Sequence, residues 1–114
     1  MSKRVAVVIA EDPMQSPRPV EALRIALGLC AGDHETSVIL LGKAPILITE
    51  NVDDVMDVET LEKYRPSLAH MSVPFLLESH MTVEGILPEL SVSRKSAREL
   101  RSFLQSVDRT LVFT

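Results

Sequence analysis

The sequence predicts an α/β fold: a three-layer α/β/α sandwich built on a mainly parallel sheet of about five strands, in a single domain over residues 1–114. Three observations lead there. Residues 5–10 form an unbroken apolar run rich in valine, the composition of a strand covered on both faces. Further short apolar runs follow at intervals that leave room for helices, and parallel neighbours require such crossovers. The chain is long enough for one core and too short for a catalytic domain plus a separate substrate domain.

Residues 5–10 are thus expected as the first and central strand. The loop after it, "EDPMQSPRP", carries Pro13, Pro17 and Pro19; these stiffen the crossover, and Pro19 suits a helix start. Such a loop lies where α/β sheets bind ligands, beyond the carboxyl ends of the strands and near a helix N-terminus. It contains no glycine, so it lacks the backbone cradle of a nucleotide phosphate. Ser16 and Arg18 suit a small anion, and Asp12 joins them as a ligand-binding candidate.

Residues 20–31 read as a helix whose polar positions are confined to Glu21 and Arg24, with Gly28 one turn on. A helix lying on a sheet needs an apolar stripe of roughly 100°, so the surplus predicts a second cover, either another copy or a related subunit. Cys30, within this helix, reads as a small core hydrophobe. As the single cysteine it excludes an internal disulfide. Gly32 ends the helix, and residues 37–41 form the second strand, closed by Gly42. Residues 44–49 admit a helical turn, an extended lid or a short strand.

Six acids and no base occupy residues 50–62, a solvated acidic turn that leads into a helix over 58–71. Pro66 is expected to kink or split that helix. Residues 73–78 form the third strand, with Pro74 tolerated at its start. Residues 80–87 predict a short helix stopped by Pro88, and residues 90–93 a brief fourth strand. Ser93 caps a last helix with Ala97, Leu100, Leu104 and Val107 on one side. Residues 110–114 close the sheet.

Net charge −4 and the absence of tryptophan argue against a nucleic-acid surface. No apolar stretch approaches the roughly 20 residues of a membrane helix, and the first residues lack a signal-peptide pattern, so a cytoplasmic address is expected. His34, His70 and His80 have no metal-ligand spacing, and neither a metal nor a cofactor is implied. Glu78, at the carboxyl end of a strand and followed by Ser79 and His80, reads either as an active-site carboxylate or as a helix cap. Arg94, Lys95, Arg98 and Arg101 give the last helix a basic side, suited to the acidic 50–62 segment of a neighbour.

The first strand, the loop "EDPMQSPRPVEALRIALGL", "VILLGKAPILI", "VPFLLE" leading into "SHMTVEGILPEL", and the final "DRTLVFT" together resemble the DsrE/DsrF-like family of sulfur-relay proteins, which includes TusB, TusC and TusD. The resemblance spans nearly the whole chain. It implies a single three-layer domain that assembles as trimers and hexamers, alone or with related subunits, and that works with sulfur-carrier proteins. Active members of the family carry a persulfide-forming cysteine in a stretch like Cys-x-x-Ala-x-x-Arg-Gly. Aligned on Gly85, that stretch puts Glu84 in the arginine's place, Met81 in the alanine's and Glu78 in the cysteine's.

The resemblance therefore points to a noncatalytic member acting as an oligomeric or partner-binding subunit. A ligand-binding protein or enzyme using Glu78 and His80, with Asp12, Ser16 and Arg18 on the same rim, is the alternative. Sulfur transfer through Cys30 is the third reading.

Overall fold

The computed structural model describes residues 2–114. The chain runs β1 (Arg4–Ile9), α1 (Arg18–Ala31), β2 (Glu35–Leu40), a 3-10 segment (Ala44–Ile48), α2 (Val58–His70), β3 (Pro74–Glu78), β4 (Ser91–Lys95), α3 (Ala97–Ser106) and β5 (Arg109–Phe113). All five strands are parallel, in the order β4-β3-β2-β1-β5.

The valine-rich run is an interior strand because both its faces must leave water, but it is not the central one expected: β2 holds the centre and β1 lies between it and the edge strand β5. Val5, Ala6, Val7, Val8 and Ile9 are all buried. Alternation along the strands then divides the core in two. Val7 and Ile9 join Val38, Leu40, Phe75 and Leu77 beneath α1 and α2 in the larger cluster. Val8, Ile39 and Leu76 face the other way, where Leu100 of α3 closes a smaller one. One face thus carries two helices and the other carries one.

The apolar surplus of α1 is taken up partly within the chain. Val20, Ala22, Leu23 and Ala26 face the core, while Ile25, Leu27, Leu29 and Cys30 are half-buried. Their cover includes α2, which packs beside α1 in the same layer. The exposed stripe is Glu21, Arg24, Gly28 and Ala31, on which Arg24 donates to the Glu21 carboxylate. Of residues 44–49, which the sequence left open, Ala44–Ile48 form the 3-10 segment and bury Ala44, Leu47 and Ile48, while Thr49 is extended and bridges to Ile86.

Several expectations are corrected. Residues 80–87 are not a helix; after a turn at Ser79 and His80 the chain runs irregularly to an isolated antiparallel bridge between Ile86 and Thr49. That tertiary pairing outweighs local helix spacing. The last helix is capped by Ser96 rather than Ser93: the Ser96 hydroxyl accepts from the Glu99 N–H and the Glu99 carboxylate accepts from the Ser96 N–H. Ser93 lies inside β4, whose five residues extend through Lys95. Arg94 and Lys95 are therefore strand residues, and only Arg98 and Arg101 of the four basic side chains belong to α3. Pro66 neither splits α2 nor ends it.

Candidate functional site

The site assembles where β2 and β3 end and α3 begins. Glu78, the last residue of β3, has its neighbours on both sides fixed. The Ser79 N–H donates to the Lys95 carbonyl at 2.8 Å, and the Met81 N–H reaches back to the Glu78 carbonyl at 3.0 Å, closing a tight turn. Arg94 holds the turn from β4 by donating to the Met81 carbonyl. Because the turn does not continue into a helix, Glu78 is not a helix cap. Its carboxylate is left for side-chain chemistry.

His80 takes up part of it, with Nε2 3.3 Å from Glu78 Oε1. The two ends of this pair differ in surroundings: the Glu78 side chain is 26 % exposed and that of His80 79 %. Glu78 also lines a cavity of about 430 Å³ against α3, together with Leu41, Leu100, Leu104, Arg101 and Gln105. The lining combines an apolar floor with one carboxylate and one guanidinium, a composition suited to a small amphipathic molecule or a partner's side chain.

A second concavity of about 270 Å³ lies on the side of the 3-10 segment, where Met81 and Glu84 meet Ile46, Thr49 and Asn51. Gly85 secures its edge. Its carbonyl accepts from the Glu50 N–H at 2.9 Å, its φ is +74°, and a Cβ there would sit 3.0 Å from Asn51 Nδ2 and Glu50 Cγ. The left-handed conformation favours glycine, and a side chain there would press on those of Asn51 and Glu50.

The opening loop is occupied with itself and with β5. The Asp12 carboxylate accepts from the Met14 N–H and lies 3.8 Å from Lys43 Nζ. The Ser16 hydroxyl accepts from the Arg18 N–H. Arg18 pairs with Glu11 at 3.1 Å, donates to the Thr114 carbonyl and sits 5.8 Å from the centroid of the Phe113 ring. Asp12, Ser16 and Arg18 do not line the Glu78 cavity, so the two groups of candidates form separate places on the carboxyl rim. The Phe113 carbonyl accepts from the N–H groups of Ala10 and Glu11, tying the loop to the last strand.

Cys30 lies at the far end of the molecule from Glu78. The carboxyl end of α1 is joined to the beginnings of β1 and β2, where the Lys3 N–H donates to His34 Nδ1 and the Glu35 N–H to the Lys3 carbonyl. The thiol is half-buried against the larger cluster. Among the described residues no three His, Cys, Asp or Glu side chains gather to hold a metal, and no helix is long and apolar enough to cross a membrane.

Sequence reasoning missed Arg101 and Gln105 as neighbours of Glu78. Placing the helix start at Ser96, from the Ser-x-x-Glu pattern, would have set Leu100 and Leu104 on the sheet side with Arg101 beside them.

No protein-family model matches the chain, and no curated protein sequence does. Among solved structures it is similar to the crystal structure of the ychN protein from E. coli, with a TM-score of 0.73 over 97 % of this chain and 99 % of that one, at 16 % identity. The shared architecture is the DsrE-like fold.

Proposed function

We propose that this chain is a noncatalytic subunit of DsrE-like fold, acting by self-association or by docking related subunits in connection with intracellular sulfur transfer. The observation that carries the reading is Glu78. It stands at the end of β3, in the place that the resemblance gives to the sulfur-accepting cysteine, beside a cavity that reaches α3. A carboxylate has no sulfur with which to form a persulfide. Cys30 is no substitute, since it sits at the other end of the sheet, half-buried against the larger apolar cluster and away from the Glu78 cavity.

Native mass spectrometry of the purified chain at micromolar concentration tests this. A trimer, a hexamer or a complex with sulfur-transfer subunits is expected, with no sulfur added to Cys30 after exposure to a persulfide donor that loads a control protein. A clean monomer would overturn the assembly role, and a sulfur adduct on Cys30 the noncatalytic one.

The Glu78–His80 pair, at 3.3 Å beside the 430 Å³ cavity, favours a second reading in which the chain binds or transforms a small ligand. Glu78→Gln keeps the shape and removes the charge. If every ligand-induced rise in melting temperature survives that change, the second reading fails.

A further inference from the structure

β5 is the least covered strand of the sheet. It lies at the edge beside β1, and four of its five residues are exposed. Two of these are large and apolar: Leu111 is 37 % and Val112 55 % exposed. Natural edge strands are blunted by charges, prolines, bulges or a covering loop. Here the register with β1 is unbroken from Arg109 to Phe113, no proline intervenes, and the one charged residue, Arg109, is at the start.

The ladder with β1 uses one side of the strand. Phe113 turns its carbonyl toward β1, where it accepts from Ala10, so alternation sends the backbone N–H and C=O of Thr110 and Val112 to the open side. Below Leu111, on the α1 face, lies a recess of about 330 Å³ whose floor includes Val5 and Leu29 and whose rim carries Lys3, His34 and Arg109. The strand thus offers an unpaired hydrogen-bonding row, an apolar side chain and a concavity next to it.

We propose that β5 pairs with β5 of a second copy, antiparallel about a two-fold axis through Leu111, so that two five-stranded sheets become one of ten. The inference rests on the self-association proposed above and adds the surface that carries it. A second copy fits because the strand is its own complement in this register. Thr110 lies opposite Val112 of the other copy, and each such pair exchanges two N–H···O=C bonds. Leu111 meets its counterpart over the two recesses. Arg109 comes opposite Phe113, and the two arginines end about 14 Å apart, four residues at roughly 3.4 Å each, so like charges do not meet. A two-fold contact of this kind is closed, because it uses up β5 in both copies and leaves β4 as the two outer edges of the joined sheet.

The test is a charge exchange at Leu111, with mass read by light scattering on the full chain and folding by circular dichroism. Wild-type protein should have an even number of copies. Leu111→Lys and Leu111→Glu should each halve that number or reduce it to one, and an equimolar mixture should restore it, because the two unlike charges then face each other. Thr110→Pro, at an exposed residue whose N–H makes no bond to β1, should disrupt assembly likewise and decides the matter if either Leu111 variant fails to fold.

An odd-numbered wild-type assembly, variants that keep the wild-type mass, or a mixture that does not reassemble would each overturn the β5 contact while leaving self-association standing. A monomeric wild type would remove both.

Discussion

The backbone N–H of Glu50 donates to the carbonyl of Gly85 over 2.9 Å, and this bond joins the segment after the 3-10 turn to the loop that follows the Glu78–His80 pair. Together with the bridge between Thr49 and Ile86 and the bond from the Leu87 N–H to the Ile48 carbonyl, it is what orders residues 79–90 without a helix. Gly85→Ala should therefore cost about 1–2 kcal/mol, the strain of a left-handed alanine, plus whatever Asn51 and Glu50 lose in moving from a Cβ at 3.0 Å. Chemical denaturation measures the loss. An unchanged midpoint would show that the loop does not depend on this conformation.

How much of this was readable beforehand differs from element to element. β1 declared itself because five consecutive buried positions leave no polar residue to interrupt the run. Residues 80–87 misled because the contact that decides their form, Ile86 with Thr49, is made across more than thirty residues and leaves no local periodicity. Glu78 was identifiable as the end of a strand, whereas its cavity depends on where α3 crosses the sheet. That crossing could be placed only with the cap, and two serines three residues apart competed for it. Ser96 wins because Glu99 stands three residues after it, while Ser93 is followed at that spacing by Ser96 itself.

The cap makes α3 sensitive to acid. The Glu99 carboxyl is held below its ordinary value of 4.5, chiefly because it accepts from the backbone N–H of Ser96. A pKa lowered by folding contributes stability that is present in full above pH 4.5 and is lost as the pH falls through the folded-state value. Glu99→Gln, which accepts a hydrogen bond but has no charge to lose, should flatten the acid limb of the stability curve below that pH. Equal acid limbs in the two proteins would contradict the assignment. Ser96→Ala should cost about 1 kcal/mol at neutral pH.

Pro66 sits in the interior of the 13-residue α2 and is exposed. It supplies no N–H to the carbonyl of Glu62 one turn back, so one helical bond is missing. Pro66→Ala should restore it and raise stability by about 1–2 kcal/mol, the helix gain less the freedom returned to the unfolded chain. Thermal unfolding reports the sign. A lower melting temperature would mean that the packing of α2 depends on the distortion that proline imposes.

If Glu78 occupies the sulfur acceptor's place, a thiol put there should behave as an acceptor. Glu78→Cys, in a Cys30→Ser background, is expected to gain the mass of one sulfur atom when treated with an inorganic polysulfide, since Arg101 lines the same cavity and favours a thiolate. Peptide mass mapping locates the adduct. Failure of residue 78 to load, under conditions that load a control cysteine protein, would separate this position from the chemistry of the family it resembles.

β1 lies between β2 and β5, and these two neighbours are synthesised at very different times. Its partners run from Glu35 to Leu40 on one side and from Arg109 to Phe113 on the other, the second set beginning 104 residues after Val5. At a translation rate of about 5–20 residues per second, one flank can be paired within seconds, while the other waits until the chain has grown from Leu40 to Arg109 and beyond. During that interval a strand whose residues from Val5 to Ile9 are all buried in the finished molecule has one side bare. The hazard belongs to the nascent chain on the ribosome, and a messenger cut short before codon 109 would leave it permanent.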